Sequence, residues 1–326
     1  MRQLNRQPQM RANRCLAHGL TALSAMALSL LPNSVSFALL TTSGTTSGPI
    51  IRLEDVDLFY AVYDTAGRRP SADQLQHDYL DRGSEGLHTF ARIRNITGAN
   101  LAAALGKNPE IYSEARRCAA ALPQARERIY AAIRRLTSLY PDAKLPPITI
   151  AVGRGKPVAA AGPTDGLMVG LEALCRVKYF DVNVEDRFVH VIAHEYIHVQ
   201  QPESIASDEH PTVLEASLME GAAEFLGEMI SGGVGNPGVH TEIKGREAEI
   251  ETAFVADQGN TDLSKWLYNG TLDTPGDLGY WVGYRIVQSY YLHAADKRQA
   301  IRDILKMTDP TAFLARSGWH PGIRLG

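Results

Sequence analysis

The sequence predicts a mainly helical α+β protein with one small sheet. Apolar residues recur at helical spacing across residues 53–145, most clearly in the amphipathic stretches 75–96 and 115–139. Two short runs rich in β-branched and apolar residues follow, at 146–152 and 166–174, and their composition is typical of buried strands. The chain is 44% hydrophobic and 21% charged over 326 residues, so it can bury a substantial core.

The remaining elements are predicted to be helices. A helix at 184–200 carries an apolar stripe and ends before Pro202. The next helix is expected to begin at Pro211, which suits a first helical position, and to end before Gly232. Two further helices are predicted at 242–255 and 277–295.

The N-terminus has the features of a secretory signal. The first 53 residues contain no Asp or Glu, and four arginines precede an apolar run at 19–31. This run is shorter than the roughly 20 residues of a membrane span, and Ser36, Phe37 and Ala38 provide a small-x-small cleavage site. We therefore expect a signal peptide at 1–38 and export to the periplasm or the medium, with membrane attachment only if this segment stays uncleaved.

The rest of the chain divides into three predicted segments. A Gly/Ser/Thr tract indicates a flexible leader at 39–52, a helical region follows at 53–145, and a metal-binding region occupies 146–326. The net charge of −3 and the pI near 6.4 give no basic character, so no nucleic-acid partner is expected. Cys118 and Cys175 follow the signal segment, and the sequence leaves open whether they form a disulfide or two buried thiols.

The motif His194-Glu195-Tyr196-Ile197-His198 carries the predicted chemistry. Residues four apart lie on the same face of a helix, so the two imidazoles can bind one metal ion. Imidazole ligands favour zinc, and one Zn²⁺ ion is expected. Glu195 is then the general base, because it can contact the water that zinc activates without being a ligand itself.

Glu220 is the predicted third ligand, because the 22 residues after His198 allow a turn and an antiparallel helix. Glu224 lies one turn later, and it either orients a ligand histidine or belongs to a solvated acidic stripe with Glu220 and Glu228. His190 precedes His194 by one turn. It lies about 12 Å along the helix axis from His198, too far for both to bind one ion, so it is expected to pack or to support the site.

The two motifs together resemble those of the gluzincin metallopeptidases, the class that includes thermolysin and aminopeptidase N. In that class a glutamate on the downstream helix is the third ligand, and Glu220 falls on that position. The stretches VIAHEYIHVQQ and LMEGAAEF, with GYWVGYRIV at 279–287, are similar to predicted zinc-dependent proteases of bacteria. The resemblance implies a zincin-like catalytic core.

The sequence differs at specific residues from two related groups of metallopeptidases. Gln201, Ser204 and Ile205 replace the residues that would complete the longer metzincin motif. The sequence GLMVG at 166–170 lacks the glutamate with which aminopeptidase N relatives bind the substrate amine, which disfavours aminopeptidase activity. This strand is either an ordinary core strand or an edge that pairs with an extended peptide.

An oxyanion donor is expected from Tyr284 or Tyr280, with His240 as a weaker candidate. The predicted function is zinc-dependent endopeptidase activity on peptide or protein substrates outside the cytoplasm. Two alternatives remain: an exported binding or envelope protein with a structural zinc site, and a zinc amidase that acts on cell-wall peptides. The sequence does not indicate an oligomeric state.

Overall fold

The computed structural model of the protein describes residues 48–155, 158–162, 165–206, 208–271 and 273–325. All of them belong to one folding unit. The predicted signal peptide at 1–38 and most of the predicted leader lie outside the described residues. The last two leader residues, Ile51 and Arg52, form a strand, because their backbone pairs with that of Ile148 and Thr149. The fold therefore begins two residues before the predicted helical region.

A four-stranded sheet forms one layer of the protein. Three strands are parallel, and the antiparallel β3 ends the strand order β1-β2-β4-β3. Every residue of β2 and β4 is buried, which explains their continuous apolar sequences. The strands are β1 (Ile51–Arg52), β2 (Ile148–Ala151), β3 (Ala159–Gly162) and β4 (Gly166–Gly170).

Strand β4 decides between the two interpretations of the sequence GLMVG. It pairs with β2 on one side and with β3 on the other, so it is an interior strand rather than an edge that can accept a peptide. The last strand of the described sheet is β3, which the sequence did not predict. Its four residues are three alanines and a glycine, a composition without a strand signal.

Two N-terminal helices, at 54–65 and 85–94, pack on the sheet, and the last N-terminal helix packs on the helix that carries the histidine motif. The predicted amphipathic stretch 75–96 is divided, because Ser84 caps a new helix with its side chain. The elements are α1 (Glu54–Thr65), α2 (Ala72–Gln74), a π-helical turn (Leu75–Leu80), α3 (Glu85–Arg94), α4 (Gly98–Lys107), α5 (Pro109–Ala119) and α6 (Leu122–Leu139).

A disulfide between Cys118 and Cys175 decides the question that the sequence left open. It joins the end of α5 to α7 (Leu171–Arg176), and the two Cα atoms lie 6.2 Å apart. The bond links positions 57 residues apart in the chain. It therefore fixes the helical N-terminal region to the segment that precedes the metal-binding helix.

The C-terminal half is helical. The helix expected from Pro211 begins later, because Thr212 forms a capping box with Glu215, and it ends where Gly232 adopts a left-handed conformation. The helix predicted at 242–255 begins later, at Glu247, and a separate short helix ends at Glu242. The elements are α8 (Val184–His198), α9 (Glu203–Ala206), α10 (Val213–Ser231), α11 (Pro237–Glu242), α12 (Glu247–Asp257), α13 (Leu278–His293), α14 (Lys297–Leu305) and α15 (Pro310–Ser317).

Helix α10 packs against both α8 and α13. Its contact with α13 is backbone to backbone: a Cβ atom added at Gly221 would lie 2.1 Å from the carbonyl carbon of Gly283. The backbones of α10 and α13 therefore approach each other closely at Gly221. None of the helices in the described ranges has the length and apolar character required to cross a membrane.

Candidate metal centre

Helix α8 places the two motif histidines side by side. Asn183 caps its first turn, and apolar residues such as Phe188 and Ile192 are fully buried and hold the helix in the core. His194 and His198 follow one turn apart, and their Nε2 atoms lie 3.1 Å from each other. Both nitrogens therefore face the same point, as the four-residue spacing predicts.

Helix α10 brings Glu220 to this point. Its Oε2 atom lies 3.1 Å from Nε2 of His198 and 3.3 Å from Nε2 of His194. One ligand atom from each of the three residues falls within 4.8 Å of the others. His194 and Glu220 are only 6% and 5% exposed. Two imidazole nitrogens and a carboxylate oxygen that converge in a buried place fit a zinc ion, because these are common zinc ligands.

The three residues perturb one another electrostatically. Burial alone would lower the pKa of His194, but the carboxylates of Glu224 and Glu220 outweigh burial and raise this pKa well above its ordinary value. Burial likewise opposes the charge of His198, whose pKa is nevertheless raised by Glu220. Burial would raise the pKa of Glu220, yet the two histidines hold it far below its usual range. The three side chains together therefore favour a positive charge at the point where they meet.

Two further side chains fix the ring positions. Nδ1 of His194 lies 3.1 Å from Oε1 of Glu224, in a close contact that is poorly aligned for a hydrogen bond, so Glu224 acts on the ring mainly through its charge. Nδ1 of His198 lies 2.8 Å from Oε1 of Gln201, whose amide nitrogen donates to the carbonyl of Met219. Such contacts set which ring nitrogen is available to a metal.

Gln201 was missed by sequence reasoning, although its position three residues after His198 was a usable signal. The acidic stripe considered for Glu224 is not solvated at that residue, because Glu224 is only 2% exposed. His190 does not join the ligands. Its Nδ1 atom pairs with Oδ2 of Asp181 at 2.9 Å.

A cavity of about 180 Å³ adjoins the ligands. Glu195 is half-buried and lines this cavity together with His194. The guanidinium of Arg94 lies near this carboxylate. Burial lowers the pKa of Arg94, and the charge of Glu195 partly offsets this lowering. The other lining residues are Val158, Tyr179, Phe180, Val191, Glu224, Gly235, Asn236, Asp277 and Tyr280. The wall is thus partly aromatic and partly made of hydrogen-bond acceptors.

The two predicted donor tyrosines occupy different places. The ring of Tyr280 stacks on His194, with centroids 6.0 Å apart and planes 9° from parallel, and it lines the cavity. The hydroxyl of Tyr284 instead donates to Oε2 of Glu228 at 2.5 Å, and its ring contacts His240. The structure therefore brings Tyr280 to the metal ligands and engages Tyr284 with Glu228.

Tyr268 lies beside the ligands and was missed by sequence reasoning. Its hydroxyl donates to Oε1 of Glu220 at 3.0 Å, and its ring meets that of Tyr280 edge-on at 6.5 Å. Tyr268 adopts a left-handed backbone conformation with φ of 57°, which is strained for an aromatic residue. Reciprocal hydrogen bonds between Asn269 and Asp277 close the loop around it. Glu220 and Tyr268 are 48 positions apart in the chain, and no local pattern predicts their contact.

One comparison with known proteins gives a match. Residues 175–312 match the model of a family described as "Predicted Zn-dependent protease (DUF2268)". This range contains the candidate ligands His194, His198 and Glu220 together with Tyr268, Tyr280 and Tyr284. The C-terminal part of the chain therefore resembles a zinc protease family. No curated protein matches the chain, and no solved structure does.

Proposed function

We propose that this protein is an exported zinc-dependent endopeptidase. The observation that carries the proposal is the convergence of His194, His198 and Glu220 within 4.8 Å, with Glu195 lining the adjoining cavity. A zinc ion held by these three residues would lower the pKa of a water molecule and polarise the carbonyl group of a bound peptide. The match of this region to predicted zinc-dependent proteases supports the same chemistry.

Glu195 is the proposed general base. It neighbours His194 in the chain but is not among the three ligands, so its carboxylate can take the proton of the attacking water. The same carboxylic acid then returns the proton to the amine that leaves when the peptide bond breaks. The guanidinium of Arg94 lies within electrostatic reach of this carboxylate.

The three-residue ligand set favours catalysis over a structural zinc site. Structural sites fill the four zinc positions with protein ligands, whereas catalytic sites keep one position for water or substrate. In the described ranges the ligand group contains three residues. The open position is therefore the expected place of the reaction.

Tyr268 is the first candidate for the oxyanion donor, and Tyr280 is the second. The hydroxyl of Tyr268 is within hydrogen-bond distance of a ligand residue, so a small movement would direct it to an oxygen bound near the zinc position. Tyr280 lines the cavity and stacks on His194. Tyr284 is less suited, because its hydroxyl donates to Glu228.

An extended peptide is the proposed substrate form. Strand β3 is the last strand of the described sheet and packs beside α8, so a peptide chain can pair with its outer edge next to the motif. The predicted signal peptide and the Cys118–Cys175 disulfide together support an oxidising compartment outside the cytoplasm.

The experiment that tests this function compares the wild type with Glu195→Gln. Zinc content is measured by elemental analysis, and hydrolysis is measured with a quenched random-peptide library. We expect zinc in both proteins and hydrolysis by the wild type alone. Glu114→Gln, at an exposed position of α5, is the matched control and should hydrolyse peptides normally. Equal hydrolysis by Glu195→Gln and the wild type would remove Glu195 as the base.

A further inference from the structure

The loop that follows α10 folds back onto the metal-binding helix. Its sequence, GGVGN, covers residues 232–236. A Cβ atom added at Gly233 would lie 2.3 Å from the ring of His190, and one at Gly235 would lie 3.1 Å from both Cβ of His194 and Oε1 of Glu224. These contacts leave little or no room for side chains. The glycines therefore let the loop lie directly on α8, and the loop delivers Asn236 to the cavity beside Glu195.

Asn236 has a side-chain oxygen without a partner. The residue is 7% exposed, and its backbone N–H donates to Oε2 of Glu224 at 3.4 Å. Its Oδ1 atom is buried and has no hydrogen bond to any described residue. A buried acceptor that has lost water without gaining a partner is unfavourable, and such groups are few in folded proteins. Asn236 therefore carries a cost that the fold itself does not offset.

The missing partner is a hydrogen-bond donor. Two neighbours of Asn236 in the cavity, Glu224 and Asp277, carry carboxylates that accept hydrogen bonds when ionised and so cannot supply one. The hydroxyls of Tyr179 and Tyr280 can donate, but neither bonds to Oδ1 of Asn236. Asp277 already accepts a bond from the backbone N–H of Asn269. A bound peptide, in contrast, brings one main-chain N–H with each residue except proline.

We propose that Asn236 is a substrate-binding residue: its amide turns towards the cavity when a peptide lies across Glu195, so that Oδ1 accepts one main-chain N–H of that peptide. This assignment rests on the peptide hydrolysis proposed above and adds its substrate requirement. The protein recognises an unmodified peptide backbone at one position near the scissile bond. N-methylation of the amide at that position removes the hydrogen that Asn236 needs.

The test combines a variant with modified substrates. A quenched peptide cleaved by the zinc-loaded wild type is synthesised in versions with one N-methyl amide at each position flanking the scissile bond. Leucine replaces Asn236, because it has a similar shape and no polar atom. We expect Asn236→Leu to lower kcat/KM about tenfold, chiefly through KM, with zinc content unchanged and Tm unchanged or higher.

The decisive measurement is whether the effect of substrate N-methylation depends on Asn236. One N-methyl position should lower kcat/KM of the wild type about tenfold and leave that of Asn236→Leu nearly unaffected. Asn260→Leu makes the same change at an exposed site and should retain the response of the wild type. Asn236→Ala, which adds no bulk, gives the same measurement if the leucine variant does not fold.

Two results overturn the assignment. A lower Tm with unchanged kcat/KM in Asn236→Leu would make Asn236 a structural residue. Equal effects of every N-methyl position on wild type and variant would remove the proposed hydrogen bond. Either result leaves peptide hydrolysis intact, whereas failure of the zinc-loaded wild type to cleave any peptide would remove both proposals.

Discussion

Gly221 and Gly283 touch backbone to backbone where α10 crosses α13. Because Glu220 directly precedes Gly221, this contact sets the depth at which the third ligand lies. We expect Gly221→Ala to destabilise the protein by about 1–3 kcal/mol, since the new methyl group would be forced against the backbone of α13. Displacement of Glu220 should also weaken zinc binding. Urea unfolding and zinc titration measure the two effects.

Gly106 provides the control for this substitution. It lies in helix α4, and a Cβ atom added there meets nothing within 4 Å. Gly106→Ala should therefore stabilise the protein by about 0.5–1 kcal/mol, because alanine favours the helix. If Gly221→Ala stabilises the protein as Gly106→Ala does, the contact between Gly221 and Gly283 has room for a methyl group.

Gln201 should influence zinc affinity although it is not a ligand. Gln201→Leu removes the contact to Nδ1 of His198, so the ring loses the partner that fixes its orientation. We expect the Kd for zinc to rise about 10- to 100-fold. Competition with a chromogenic chelator measures this change. Gln124→Leu, at an exposed position of α6, should leave the Kd unchanged.

Zinc binding should depend on pH through His194. Its pKa is raised in the folded protein, so protonated His194 stabilises the metal-free form below the unfolded pKa of about 6.5, and this stabilisation is lost as pH rises through the raised pKa. Zinc requires the neutral ring. Affinity for zinc should therefore increase with pH until the raised pKa is passed, with release of protons.

Glu224→Gln tests the origin of this pH dependence. Removal of the carboxylate lowers the pKa of His194, so the midpoint of the zinc affinity profile should move to lower pH. Calorimetry in two buffers of different ionisation enthalpy gives the number of protons released. An unchanged midpoint would show that Glu224 does not set the charge of His194.

Substitution of Tyr268, Tyr280 or Tyr284 by phenylalanine should have a different effect on kcat or stability in each case. Tyr268→Phe should retain zinc and lower kcat about 100-fold, the size of effect expected for loss of an oxyanion donor. Tyr284→Phe should leave kcat nearly unchanged and cost about 1 kcal/mol of stability through the lost bond to Glu228. A larger loss of kcat in Tyr280→Phe than in Tyr268→Phe would exchange the two candidates.

Loss of the Cys118–Cys175 bond should destabilise the fold without altering the metal ligands. The loop of 57 residues that it closes predicts a loss of about 2–4 kcal/mol in Cys118→Ala/Cys175→Ala. Chemical denaturation measures the loss, and zinc content provides the control. Equal stability of the oxidised and reduced wild type would contradict this expectation.

The sequence predicted the parts of the site that depend on short-range spacing. One helix, α8, carries His194, Glu195 and His198, and Glu220 follows on α10. Gln201 was within reach of the same reasoning. Tyr268 and Asn236 were not, because each is placed by a loop whose path depends on packing between distant helices.

A similar distinction holds for the fold. The mainly helical α+β class followed from periodicity, and β2 and β4 were found through their apolar sequences. Strand β1 has two residues, and β3 contains only alanine and glycine, so neither carries a propensity signal. Their identification depends on the hydrogen bonds that they form with β2 and β4.

The region that matches the protease family begins at Cys175, one partner of the disulfide. Expressed alone, residues 175–312 would leave this cysteine unpaired and would lack the sheet and α6, both of which pack on the helix that bears the histidines. Arg128 of α6, which pairs with Glu185 and Asp186 of that helix, would also be missing. The boundary of sequence similarity is thus not a boundary of autonomous folding. If the shortened protein fails to bind zinc, the reason is the loss of the elements that hold the motif helix in place, and the assignment of the ligands is not contradicted.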